Sequence, residues 1–166
     1  MQGSYKASSW LKFTGNLTIS ENKVLDFEEF YDDYDEDTQK SVKYEKTDIS
    51  FSPALMGSAT AILTPIKNGE IALIGKYVGR QYLDNTSNRN RSLDAFYTQD
   101  LLLSYTVKGK AVKDLTMIFQ VNNLFNKLYE PNGYTFSYIF NQELITENYV
   151  YPMAGINFMG GVNIRL

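Results

Sequence analysis

Six segments of this chain alternate apolar and polar residues with a period of two, and no other feature narrows its possible folds so much. Ser9 to Ser20 sets Leu11, Phe13, Gly15, Leu17 and Ile19 against Lys12, Thr14, Asn16 and Thr18. Ser52 to Thr64, Glu70 to Tyr82, Phe96 to Val107 and Asp114 to Asn126 repeat the pattern, with Gln99 as a polar misfit on an apolar register. The last segment, Met153 to Leu166, carries Ala154, Ile156, Phe158, Val162, Ile164 and Leu166 on one register. Each segment reads as a two-faced β-strand, long enough to cross a bilayer core if tilted.

The connections alternate as well. Glu21 to Phe51, Leu83 to Asp94 and Lys127 to Pro152 are long, whereas Pro65 to Gly69 and Lys108 to Lys113 are short and built from turn-forming residues. In an antiparallel meander this ordering sends all long connections to one end and all short ones to the other. The expected fold is therefore all-β, an antiparallel up-and-down meander of about six long strands, part of a larger transmembrane β-barrel. Spanning strands show only weak alternation, so a negative mean hydropathy does not exclude a membrane. Trp10 lies just ahead of the first strand, where an interfacial aromatic would lie.

Composition supports strands: the 166 residues hold 13 Tyr and 10 Phe but only 4 Pro. The chain contains no Cys and no His, which removes disulfides, thiol nucleophiles, imidazole bases and the commonest metal ligands. Carboxylates are concentrated in one connection rather than paired at strand ends, so the expectation is a protein that is not an enzyme and has no cofactor.

That connection, Glu21 to Asp48, holds eleven acidic residues and four lysines, a net of −7 that leaves +4 on the remainder of the chain. Aligning Asp33, Asp35 and Asp37 with the first calcium-loop positions puts Thr38 where Gly belongs and Tyr44 where the closing Glu belongs, so no metal site is expected there. A solvated loop is expected, with Phe27, Phe30, Tyr31, Tyr34 and Tyr44 packing on neighbours. In the other two long connections Tyr82, Asn85, Asn88, Tyr134, Tyr138 and Tyr149 have the chemistry to stack on or hydrogen-bond a ligand, and equally to form an aromatic girdle and loop scaffold. Basic and aromatic residues are not interleaved as a nucleic-acid surface requires, and the net charge is −3, so no nucleic-acid partner is expected.

Three stretches resemble one family. Asn123-Leu124-Phe125-Asn126-Lys127-Leu128-Tyr129 resembles the N-L-F-N-x-x-Y motif near the end of TonB-dependent outer-membrane receptors. Tyr77 to Thr86 and the ending from Pro152 through Gly155 to Leu166 are similar to members of the same family, although Leu166 stands where an aromatic residue usually closes it. The resemblance implies the C-terminal strands of a plugged barrel of about twenty-two strands, with the motif on the penultimate strand. It also implies location in the cell outer membrane and energised uptake of a scarce nutrient such as a chelated metal. The implied partners are outer-membrane lipid, the remainder of the barrel and its plug, TonB through the N-terminal part, and the barrel-assembly machinery through the last strand.

The first residues, M-Q-G-S-Y-K-A-S-S-W, lack the charged and apolar regions of a signal peptide, so for an outer-membrane protein the true N-terminus is expected to lie upstream. The first strand is then expected to pair with a predecessor outside this sequence. Two other readings share the same alternation: a small soluble β-barrel binding an apolar ligand, and a non-transporting outer-membrane barrel or adhesin.

Overall fold

The structure is a computed structural model that describes residues 1–109 and 112–166. In chain order the strands are β1 (Gln2–Lys6), β2 (Leu11–Ile19), β3 (Lys23–Asp33), β4 (Thr38–Asp48), β5 (Leu55–Ile66), β6 (Gly69–Val78), β7 (Gln81–Tyr82), β8 (Ser92–Leu93), β9 (Phe96–Lys108), β10 (Asp114–Asn122), β11 (Asn132–Phe140), β12 (Glu143–Tyr151) and β13 (Asn157–Arg165). One 3-10 turn, Arg89–Arg91, precedes β8. The described residues include no helix long and apolar enough to cross a membrane, which says nothing about crossing by strands. The protein is all-β and its large sheet is antiparallel.

The six expected strands are present as β2, β5, β6, β9, β10 and β13, adjacent in that order. A seventh precedes them: β1 pairs with β2 from Gln2↔Asn16 to Lys6↔Lys12, so the edge of β2 expected to await an external partner is already occupied. Antiparallel order places the short connections 7–10, 67–68 and 109–113 at one end of this wall and the three long ones at the other. Of the short turn Lys108 to Lys113, Lys110 and Ala111 lie outside the described residues. Lys67-Asn68 closes the β5–β6 hairpin with Asn68 at φ 65°, a left-handed position that Asn tolerates well.

Register converts the alternation into two faces. Tyr5↔Phe13↔Ala61↔Leu73↔Leu101↔Val121↔Phe158 runs across all seven strands as one cross-strand row. The parallel row at Tyr105↔Met117↔Val162 extends the same face. Phe13, Leu17, Met117, Phe119, Phe158 and Val162 on it are exposed. The other face is polar, with Asn16 bonded to Ser58 at 2.8 Å, Thr106 to Thr116 at 2.9 Å, and Arg165 paired with Asp114. The misfit Gln99 has a partner within its own face: the Tyr97 hydroxyl donates to its Oε1. Tyr97 in turn lies across Gly75, where a Cβ would collide with it.

An apolar face without cover shows in the area. The accessible surface is 11369 Å², against about 8,400 Å² for a compact monomer of this mass. Among the described residues no side chain is fully buried, and the buried apolar residues other than Ala72, namely Tyr31, Val78, Leu83, Leu93, Phe96 and Val121, gather at the long-connection end. The sheet is open, since β1 and β13 each have one partner and do not pair with each other.

Two expectations about the connections are corrected. Glu21–Phe51 and Lys127–Pro152 are not loops but fold as the hairpins β3–β4 and β11–β12; alternation of Tyr134, Phe136, Tyr138 and Phe140 with Thr135 and Ser137 favours β11, whereas cross-strand pairs such as Glu28 with Lys43 and Phe27 with Tyr44 support β3–β4. The motif Asn123–Tyr129 does not lie on the penultimate strand but forms the turn that follows β10, with Asn123 and Asn126 at φ 52° and 51°. The Asn123 side chain accepts from Lys127 N at 2.9 Å and donates to Lys127 O at 2.8 Å, while its backbone N–H donates to Asp100 at 2.8 Å. Asn126 Oδ1 accepts from Ile156 N at 2.9 Å and lies where a Cβ on Gly155 would be. Tyr129 stacks on Phe96 with ring centroids 4.3 Å apart. The motif is therefore a clasp holding the entry of β13 against the end of β10.

Candidate binding cleft at the long-connection end

The three long connections close into one cap. Hairpins β3–β4 and β11–β12 join edge to edge in a second sheet of order β12-β11-β3-β4. The β11–β12 turn is Asn141-Gln142, with φ 53° and 63°, the two positive angles that match the twist of a two-residue hairpin. Asp35, from the other hairpin, accepts from the backbone N–H of both turn residues, at 2.9 and 2.7 Å. The strands themselves pair in parallel only at Tyr138↔Asp32 and Ile139↔Asp33, with Tyr34 N donating to Ile139 O at 3.0 Å. At the other flank of β3, Lys40 pairs with buried Asp33 at 2.6 Å and holds its carboxyl below the usual range.

Segment 79–95 lies beneath that sheet and is fastened to both hairpins. Asp48 N donates to Ser87 Oγ at 2.7 Å, Ser50 N to Asn85 Oδ1 at 2.8 Å, and Asn148 Nδ2 to Asn90 O at 2.8 Å. At its centre Arg91 is 4 % exposed and pairs with Glu29 of β3 and, at 2.9 Å, with Asp84, while its Nη2 reaches Thr146 of β12 at 3.3 Å. Burial opposes the guanidinium charge, but Asp84 and Glu29 more than offset it, so the group is held charged. Glu29 also accepts from Tyr31 and Tyr44, each at 3.0 Å; burial, with the carboxylate beside them, pushes both hydroxyls up. One buried arginine thus ties all three connections together.

Because β3 and β11 pair at only two positions, a cleft of about 550 Å³ opens between their unpaired portions. Its floor includes Arg91, Glu29 and Asp84, and its mouth includes Phe30, Asp32, Phe136, Tyr138 and Glu147. An exposed aromatic row runs from the mouth along β11 and β12. Phe136 and Tyr149 stack with nearly parallel planes at 6.1 Å and 5°, Tyr134 stacks on Tyr149 at 5.0 Å, and Tyr34 meets Tyr138 edge-on at 5.7 Å. Glu147 lies within the row, accepting from the hydroxyls of Tyr149 and Tyr138, which hold its carboxyl below the usual range.

The residues singled out from the sequence separate into two groups. Tyr134, Tyr138 and Tyr149 come together on one face of β11–β12. Tyr82, Asn85 and Asn88 do not join them: Tyr82 accepts from Phe51 N through its carbonyl, Asn85 fixes Ser50, and Asn88 caps the 3-10 turn. Phe136, Glu147, Asp32 and Arg91 were not singled out. Alternation across 132–140 and 143–151 carried the signal for the first two, since it puts Phe136 beside Tyr134 and opposite Glu147. No group of carboxylates among the described residues is arranged to hold a metal ion. No protein-family model and no curated protein matches this sequence.

Proposed function

We propose that this chain is the C-terminal wall and outer cap of a TonB-dependent receptor in the cell outer membrane, serving energised uptake of a scarce nutrient such as a chelated metal. The observation that carries this reading is the uncovered apolar face running across seven paired strands of an open sheet. In water that face would be costly to expose, whereas lipid covers it without loss. The polar face then lines the lumen, the short turns lie in the periplasm, and the cap stands outside the cell. In this reading β13 and β1 pair with strands of the remaining barrel, because unpaired N–H and C=O groups in hydrocarbon cost several kcal/mol each. Plug, TonB contact and most of the wall belong to that remainder, and β13 offers the strand by which assembly machinery would receive it. No catalytic step and no cofactor enter this function.

A soluble β-barrel binding an apolar ligand is the alternative suggested by the depression of about 550 Å³ among Phe13, Leu17, Leu73, Tyr77 and Tyr97. It would leave Phe119, Phe158 and Val162 exposed in water, which argues against it. A non-transporting barrel or adhesin shares the wall chemistry. The test is surface labelling of whole cells carrying the complete receptor, with single cysteines at Asp37, Asn90, Gln142 and Lys67. The first three are expected to react with an impermeant reagent and Lys67→Cys to stay protected. Labelling at position 67 alone would overturn the orientation, and a monodisperse, cooperatively folding chain in plain buffer would overturn the membrane assignment.

A further inference from the structure

We infer that the free edge of β12 is a docking surface for an extended polypeptide segment, which joins the cap sheet as a further strand and sets a lysine or arginine opposite Glu147. The inference rests on the receptor reading only for the place of that edge outside the cell. In the cap order β12-β11-β3-β4 the two free edges are β12 and β4. β12 pairs with β11 along its whole length, and among the described residues none of its backbone groups bonds to the backbone of another strand or loop. In an antiparallel ladder every second residue turns its N–H and C=O away from its partner, so β12 presents a row of donors and acceptors at strand spacing. Only another extended backbone matches such a row along its length.

The two edges are guarded unequally. β4 carries Lys40, Lys43 and Lys46, each paired with a carboxylate, and lysines along an edge oppose the approach of a further strand. β12 reads E-L-I-T-E-N-Y-V-Y, without Lys, Arg, Pro or Gly to blunt it, and Leu144, Tyr149, Val150 and Tyr151 are exposed. Its side chains also state the chemistry of the partner. Ile145, Glu147 and Tyr149 alternate onto one face, and among the described residues Glu147 accepts from two tyrosine hydroxyls but from no cation. An added strand sets its own side chains directly beside these, so an apolar, basic, apolar alternation is complementary and an acidic centre is repelled. The same repulsion disfavours a second copy of this chain. Two-fold pairing centred on Ile145 sets Glu143 against Glu147, and pairing centred on Glu147 sets that residue against itself.

The probe is the peptide acetyl-Thr-Val-Thr-Lys-Thr-Val-Thr-amide, added in millimolar excess to the full chain in maltoside micelles while amide hydrogen exchange is read residue by residue by NMR. Protection is expected to rise at alternate residues of 143–151 and to stay unchanged in 38–48 and 115–121. Replacing the central lysine of the peptide by glutamate should weaken it about threefold or more, and Glu147→Lys should reverse that preference. A peptide N-methylated at every residue keeps the side chains but has no backbone donors, and should give no protection. Equal protection by the methylated peptide, or protection spread evenly over 143–151, would overturn strand addition. Equal binding of the lysine and glutamate peptides to the unaltered chain would overturn the basic partner, whether or not Glu147→Lys folds. Absence of protection by the lysine peptide, in chain with native circular dichroism, would overturn the inference and leave the receptor reading intact. Protection that grows with chain concentration in the absence of peptide would make a second copy the occupant and overturn the assignment to a basic segment. Alternate protection in a chain that proves soluble and unlabelled at the cell surface would uphold the docking edge and remove the receptor.

Discussion

Replacing Arg91 by Met should loosen the cap without breaking the wall. The substitution keeps much of the side-chain volume but strands two carboxylates, with side-chain exposures of 13 % at Glu29 and 21 % at Asp84, beside a guanidinium position that was 4 % exposed. Breaking a fully buried pair costs about 3 to 5 kcal/mol, mostly through the charge left behind. Water reaches both carboxylates here, so the expected cost falls to about 2 to 3 kcal/mol. The loss should be confined to segment 83–94 and the two hairpins, because among the described residues the Arg91 side chain bonds only to Glu29, Asp84 and Thr146. Hydrogen exchange of the chain in detergent should therefore speed up roughly thirtyfold or more across 83–94 and 143–151 and stay unchanged in 115–121. Adding Glu29→Gln and Asp84→Asn should recover most of the loss, since neutral amides have no charge to strand. Uniform acceleration in wall and cap would refute the local lock, and a cost below about 0.5 kcal/mol would refute the claim that Arg91 compensates buried charge.

Phe119 is 44 % exposed on the apolar face and stacks on Phe158 at 6.2 Å, so Phe119→Arg should destabilise the assembled barrel by about 2 to 4 kcal/mol. Chemical unfolding in lipid vesicles measures this, and an unchanged midpoint would count against lipid contact. Asp35→Ala removes the carboxylate that clasps Asn141 and Gln142, and should free those two amides and that of Tyr34 for faster exchange while leaving the β3–β4 ladder protected. Equal protection in the variant would mean that the two hairpins need no clasp. Lys40 holds the Asp33 carboxyl low and Lys23 holds that of Asp48 low, so both contributions are complete above the ordinary carboxylate range and disappear as pH falls through the depressed values. Exchange measured from pH 6 down to about pH 3 should show the cap opening before the wall, and simultaneous loss would show that these pairs are not what acid removes.

The sequence alone determined the wall. Period-two alternation depends only on which side of a strand each residue takes, so Ser9–Ser20 and the segments like it declared their faces, their length and the sorting of long and short connections before any coordinates. It did not disclose β1, whose five residues Gln2–Lys6 are too few and too polar to alternate and form a strand only because β2 offers an edge. The acidic run misled for a related reason: Glu21–Asp48 looks like solvated loop because its charge is high, yet the cross-strand pair Glu28 and Lys43 and the stacking of Phe27 on Tyr44 support a hairpin. The Asn123–Tyr129 motif was legible as a motif but not as a turn, since its left-handed asparagines acquire their purpose only when Gly155 and Ile156 arrive from thirty residues away. The cleft was decided by tertiary structure entirely. Arg91, Glu29 and Glu147 lie in three different connections, and only the edge-to-edge docking of two hairpins over segment 79–95, stopping after two paired residues, brings them round one opening. Alternation is a local property of neighbouring residues, whereas a binding cleft is a relation between distant ones, and that relation is fixed by packing.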